Sequence, residues 1–150
     1  VHIEIVTTDF DPWQTLQAHQ ARKAAALHGK IGATCSFVGT MRDFNEGERV
    51  HSMLLEHYPG MTEKQLGLII TEATRQWSVL DGLVIHKVGE VFPQQPIVLV
   101  AVWTARRGDA FDACRHIIEG LKSHAPFWKK ETLASQHSRW VEKNSSGYMR

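Results

Sequence analysis

The sequence predicts an α+β fold with about three main helices and a mixed or antiparallel sheet, on three observations. Strand-like and helix-like segments are mixed without a strict strand–helix–strand alternation, which disfavours a doubly wound parallel sheet. Ile97–Thr104 is a nearly continuous apolar run of strand length, the pattern of a strand buried on both faces. Two later segments instead repeat apolar residues at helical spacing: Leu66, Ile69, Ile70, Ala73 and Trp77, then Phe111, Cys114, Ile118, Leu121 and Ala125. A chain of 150 residues that is 43% hydrophobic and 22% charged has the composition of a globular domain, and residues 1–150 read as one unit without repeat, linker or low-complexity tract.

The elements follow in order. His2–Val6 alternates and is rich in β-formers, a strand. Asp11-Pro12 supplies an N-cap and a proline at the first helical position, opening a helix that runs to about Leu27, before Gly29. Gly32–Thr40 reads as a strand, Arg42–Arg49 as a polar loop, and Met53–Tyr58 as a strand closed by the turn Pro59-Gly60. Thr62 and Gln65 have capping-box spacing, which makes the threonine the expected cap of the next helix. Asp81-Gly82 turns into a strand over Leu83–Val91, and Pro93 and Pro96 delimit the connection to the apolar run. Asp109 is the expected cap of a helix reaching about His124, where Pro126 stops it. Short strands around Lys129–Leu133 and Arg139–Glu142 complete the set.

Composition narrows the function. Apolar runs fall far short of the roughly 20 residues of a membrane helix, and no basic-then-apolar leader opens the chain. Cys35 and Cys114 lie in apolar stretches without zinc or redox spacing, which fits a reducing, cytoplasmic setting. The nine histidines include no HExxH or HxH pair; His116 and His124 could share a helix face, but two ligands do not make a metal site. Trp103, Trp128 and Trp140 read as core or interface residues, with no aromatic pair spaced for stacking RNA bases.

Charge points to one region. Residues 1–103 carry 8 Lys/Arg against 11 Asp/Glu, whereas residues 104–150 carry 9 against 5, so a basic final third sits on a nearly neutral protein. That suggests a local anion site more than a general polyanion-binding surface. Arg106-Arg107 stands where the buried strand ends and a helix begins, a place suited to phosphate or carboxylate. Lys122 lies in the last turn of that helix and Lys129 beyond the Pro126 break, so the turn can fold both ammonium groups toward one cavity. Lysines desolvated beside other cations have lowered pKa values and serve in nucleophilic or acid–base chemistry. A solvated basic face is the competing account of the same residues. So is a non-catalytic anion- or RNA-binding domain, or a scaffold that docks a partner.

Five motifs then carry a resemblance. Phe37-Val38-Gly39-Thr40-Met41-Arg42-Asp43, Glu56-His57-Tyr58-Pro59-Gly60-Met61 and Ile85-His86-Lys87-Val88-Gly89-Glu90 are followed by Ala125-Pro126-Phe127-Trp128-Lys129 and Arg139-Trp140-Val141-Glu142. In this order they resemble the large, catalytic subunit of molybdopterin synthase, over roughly Gly32–Glu142. The resemblance implies an α/β-hammerhead type of α+β fold and a homodimer within a heterotetramer. It implies as partner a small ubiquitin-like carrier whose C-terminal Gly-Gly ends in a thiocarboxylate. The reaction implied is a double sulfur transfer to cyclic pyranopterin monophosphate, making the dithiolene of molybdopterin without a metal, redox cofactor, nucleic acid or membrane. By the same resemblance Lys122 and Lys129 are the essential lysines, and Thr40, Met41, Arg42, Arg106, Arg107, Lys130 and Glu131 join them in binding substrate. Lys122 is assigned to the thiocarboxylate, Lys129 to acid–base work or charge stabilisation at the pterin, and Arg42, Arg106 and Arg107 to the phosphate. The family often carries histidine where Arg106 stands; arginine keeps the charge but cannot shuttle a proton near neutral pH. The tail from Lys143 to Arg150 is expected to help dock the carrier.

Overall fold

The computed structural model describes residues 1–141 and 147. Along the chain the elements are β1 (His2–Val6), α1 (Pro12–Lys23), β2 (Ala33–Thr40), β3 (Phe44–Asn45), β4 (Glu48–His57) and α2 (Met61–Trp77). They continue with β5 (Asp81–Lys87), β6 (Gly89–Val91), β7 (Pro96–Thr104), α3 (Arg107–His124), β8 (Phe127–Leu133) and β9 (Ser138–Trp140). The α+β class and its three helices are as expected. Glu142 and most of the Lys143–Arg150 tail lie outside the described residues.

Two sheets share the chain. The first has the order β1-β5-β7-β2, with β1 parallel to β5 and the other pairs antiparallel. The second runs β3-β4-β8-β9, and β6 adds to β4. In the first sheet β7 is central and buried on both sides, because successive side chains alternate between faces. Val98, Val100 and Val102 pack with Val84 against α2 and α3. Leu99, Ala101 and Trp103 pack with Leu83 and Ile85 on the face that Leu16 of α1 covers. Met53, Leu55, Val91 and Leu133 form the smaller core of the second sheet.

Several elements differ from expectation, each for a local reason. The α-helix α1 ends at Lys23, and residues 24–30 continue as turns in which the Leu27 N–H still donates to the Lys23 carbonyl at 3.1 Å. Its start is as read: the Asp11 carboxylate accepts from Trp13 N at 3.0 Å and Gln14 N at 3.2 Å. In α2 the cap is Gly60 rather than Thr62, since the Pro59-Gly60 turn places Gly60 at φ 85° and starts the helix earlier. The Gly60 N–H donates to Glu63 Oε2 at 2.9 Å. The Thr62 hydroxyl is buried instead, accepting from Tyr58 N at 3.0 Å and donating to the Pro126 carbonyl at 3.0 Å. What reads as one strand over Leu83–Val91 is two: Gly89, at φ 95°, breaks it, so β5 stays in the first sheet while β6 joins the second.

At the start of α3 the cap position is Arg106, with Asp109 inside the first turn. The buried stripe of α3 is Ala110, Ala113, Cys114, Ile117, Ile118 and Leu121, which leaves Phe111 64% exposed, one step off the expected stripe. Trp103 is a core residue at 1% exposure, whereas Trp128 and Trp140 are half exposed on the outer face of the second sheet. The polar stretch 42–49 contains a hairpin, β3 pairing with the start of β4.

Candidate active site

The recess lies where the two sheets meet, and local rules aim its residues. Registration between β2 and β7 slips between Gly39 and Thr40: Gly39 pairs with Val98 and Thr40 with Pro96, so Ile97 of β7 is the bulged, unpaired residue beside the recess. Met41 is buried as an anchor: its N–H donates to Gln95 O at 3.0 Å and its carbonyl accepts from Gln94 N at 2.9 Å. Arg42 follows from this pinned point with its side chain exposed. Strand β8 alternates, so Phe127, Lys129, Glu131 and Leu133 face inward while Trp128, Lys130 and Thr132 face away. The last turn of α3 brings Lys122 to the same place.

Thr40, Met41, Arg42, Lys122, Lys129 and Glu131 line one recess of about 130 Å³. A second chamber of about 90 Å³ lies deeper and shares Thr40, Ile97, Lys122 and Lys129 with the first. Glu131, almost fully buried, is fixed by Asn45 Nδ2, which donates to Oε1 at 2.9 Å, and by Arg139 Nε at 3.4 Å. Arg139 also donates to the Asn45 carbonyl at 2.9 Å, closing the network behind the recess.

Other expected residues lie elsewhere. Lys130 is on the outer face of β8, its ammonium 5.6 Å from the centre of the Trp140 ring. Arg106 and Arg107 line an open concavity with Gly32, Ala105 and Gly108 at the opposite end of α3. Along the helix axis Arg107 is roughly 22 Å from Lys122. Within one chain, Arg42 and not the arginine pair is the guanidinium beside the lysines. Sequence reading did not single out Asn45 or His86 as site residues. Asn45 sat in what read as a loop, and His86 was one of nine histidines without a ligand pair. Its position one residue before the end of a buried strand was the available signal.

Electrostatics set the lysines apart from surface ones. Burial and, next, the Lys122 charge together pull the Lys129 pKa down to about 8, with Glu131 opposing both. Lys122 is lowered mainly by burial, with Glu119 opposing and Arg42 reinforcing the shift. Between about pH 8 and the ordinary lysine value near 10.4 the unfolded chain therefore binds more protons at this position, and stability rises with pH. Below that window the folded state carries the full cost of a buried charge. Lys129→Met is thus expected to raise the melting temperature at pH 7, and the gain over the parent chain should shrink as pH climbs from about 8 past 10. Thermal melts of both proteins at matched pH values check this; a constant difference would show that charge burial is not the cause.

An α+β scaffold holding two half-buried lysines, an arginine and a fixed carboxylate around one recess has the charge and enclosure suited to group transfer between anions. Among the described residues no helix is long and apolar enough to cross a membrane. The sequence profile of the MoaE protein family matches residues 7–124. The chain belongs to this family, whose members include the catalytic subunits of molybdopterin synthase. It is 49% identical over 140 residues to the molybdopterin synthase catalytic subunit of Ralstonia nicotianae, covering 93% of this chain and 76% of that one. The Pseudomonas aeruginosa catalytic subunit is 47% identical, covering 93% and 89%. Among solved structures, the molybdopterin biosynthesis MoaE protein of Burkholderia ambifaria superposes with a TM-score of 0.78 at 45% identity, covering 97% of this chain and 92% of that one. These relatives lend no support to a non-catalytic anion- or RNA-binding domain.

Proposed function

We propose that this chain moves sulfur from the C-terminal thiocarboxylate of a small ubiquitin-like carrier onto cyclic pyranopterin monophosphate, twice, to build a dithiolene. The observation that carries this reading is the convergence of Lys122 and Lys129 on one recess beside Arg42. Both reactants are anions, and both need positive potential in a partly dry pocket. The thiocarboxylate sulfur forms a bond to a carbon of the pterin side chain as a carbon–oxygen bond at that carbon breaks. The oxygen leaves as water or stays on the opened phosphate, and the carrier is then joined through its acyl carbon. Water then adds to that carbonyl, and the tetrahedral species expels the carrier as a carboxylate while sulfur stays on the pterin. Lys122 holds the carrier's charged end, Lys129 stabilises the developing oxyanion, and Arg42 receives the phosphate. Glu131 keeps Lys129 protonated. No metal or redox group enters the balance, since the sulfur arrives activated on the carrier. The working assembly in this reading is a cytoplasmic homodimer with one carrier per subunit. Arg106 and Arg107, too far along α3 to serve their own recess, would face a second copy.

Reconstitution with thiocarboxylated carrier and the cyclic pterin, with dithiolene formation as readout, tests the proposal; no product from the folded chain would end it. Because the protonated lysine is the working form, single-turnover rates are expected to fall as pH rises through about 8. A rate that rises through the same pH would make Lys129 a base instead.

A further inference from the structure

The inner chamber holds a polar group that the chemistry above does not use. His86 lies on β5, 4% exposed, with its ring stacked on Phe127 at 3.9 Å between centroids and 13° between planes. Its Nδ1 is 2.8 Å from the Lys87 carbonyl. A carbonyl only accepts, so Nδ1 carries the proton and Nε2 is left as a bare acceptor. Among the described residues no group bonds Nε2. Nor is that atom sealed in protein: among the described residues the one fully buried side-chain polar atom without a partner is His19 Nδ1, away on α1. A ring atom so placed, in a residue this buried, is reached through the chamber that the ring lines.

The walls define what fits. Ile97, Val98, Leu121 and Ala125 make the chamber largely apolar, Lys122 and Lys129 supply positive charge, and Nε2 supplies one neutral acceptor. Burial, with the charges of Lys129, Lys122 and His57 adding to it, holds the imidazole pKa down at about 4 against the Lys87 hydrogen bond, so the ring stays neutral through the working pH range. The chamber is small, about 90 Å³, and Gly39 on its wall has no room for a side chain, since a Cβ there would stand 2.8 Å from Cγ1 of its cross-strand neighbour Val98. A complementary ligand has an anionic end for the lysines, an N–H donor just behind it, and no side chain. An extended peptide terminus ending in glycines has all three.

We infer that His86 is a positioning residue whose Nε2 accepts a hydrogen bond from a backbone N–H in the anionic tail of the carrier. This rests on the sulfur-transfer reading and adds a residue to it. The bond fixes how deep the tail reaches, and therefore where its terminal acyl carbon lies relative to Lys122 and Lys129. It does not touch the pterin, so its effect belongs to one reactant only.

Initial rates on the full chain, with each reactant varied in turn, test this in His86→Leu and His86→Gln. Gln reaches the Nε2 position with an acceptor oxygen, whereas Leu fills space without one. The expected result is a rise of about tenfold in the carrier's KM for His86→Leu, the scale of one lost buried hydrogen bond. His86→Gln should stay within about threefold of the parent, and the pterin's KM should be unchanged in both. If His86→Leu does not fold, His86→Asn, which is polar but too short to reach the Nε2 position, takes its place under the same criterion. Equal losses in the Gln and Leu variants, or a matching rise in the pterin's KM, would overturn the inference. Inactivity of the parent chain would instead overturn the sulfur-transfer reading on which it stands.

Discussion

Lys129→Ala is expected to slow dithiolene formation by at least about a hundredfold while carrier affinity stays within about threefold. The size follows from where the charge acts. A donor or cation placed against a developing oxyanion in a water-poor site contributes a few kcal/mol, and Lys129 is held there by β8, opposite Leu55 of β4. Carrier affinity is spread over a protein–protein surface, of which the tail is one part. Lys122→Ala should slow the reaction to a similar extent and also raise the carrier's KM, because this lysine holds the tail's charged end. The double variant should lose little more turnover than either alone, because both lysines act on the same acyl group. Rate and affinity measured in the same preparation separate the accounts. Activity that survives both substitutions would reduce the chain to a scaffold. Equal, salt-sensitive losses of polyanion binding would restore the binding-module account.

The second large effect concerns the fold. Gly32→Ala should lower stability by about 3 kcal/mol or more, a drop on the order of 10 °C in melting temperature for a chain of this length. A Cβ at this position would stand 2.1 Å from the Ala105 carbonyl oxygen, a backbone atom that no side-chain rotation can move aside. The neighbouring hydrogen bond from Gly32 N to Thr104 O, 2.9 Å, holds the two segments at that separation. Relief requires the end of β2 to part from β7 and from the loop leading into α3. Calorimetry of the variant checks this, and Gly108→Ala, where a Cβ would meet nothing within 4 Å, is the matched control. A Gly32→Ala melt within a degree or two of the parent would show that the strand end yields freely.

How legible these features were depended on whether a local rule decided them. The apolar run Ile97–Thr104 can only be central, and it is, with one face toward α2 and α3 and the other toward α1. Asp11 caps α1 because a carboxylate before a proline-led helix has two unpaired N–H groups to bind. Thr62 has the right spacing for a cap, but the positive φ that Gly60 tolerates starts α2 sooner and frees the threonine for Pro126. The break at Gly89 reads as strand continuity until two sheets are known to compete for the segment. In the site, the period of two separates Lys129 and Glu131 from Lys130, and the helical rise separates Lys122 from Arg106 and Arg107. Both distinctions are arithmetic on the sequence. A resemblance that groups substrate-binding positions does not make them, because it does not say which chain of an assembly each one serves. Asn45 and His86 needed the three-dimensional arrangement: one depends on a two-residue strand, the other on a chamber formed by β2, β5, β7, α3 and β8.

The hydrogen bond from Thr62 to the Pro126 carbonyl has a consequence of its own. It clamps the corner between α3 and β8 from outside, through a helix that contributes no group to the recess. With that corner fixed, the backbone positions that carry Lys122 and Lys129 keep their separation. The scaffold therefore presents both ammonium groups to an arriving anion without first having to gather them.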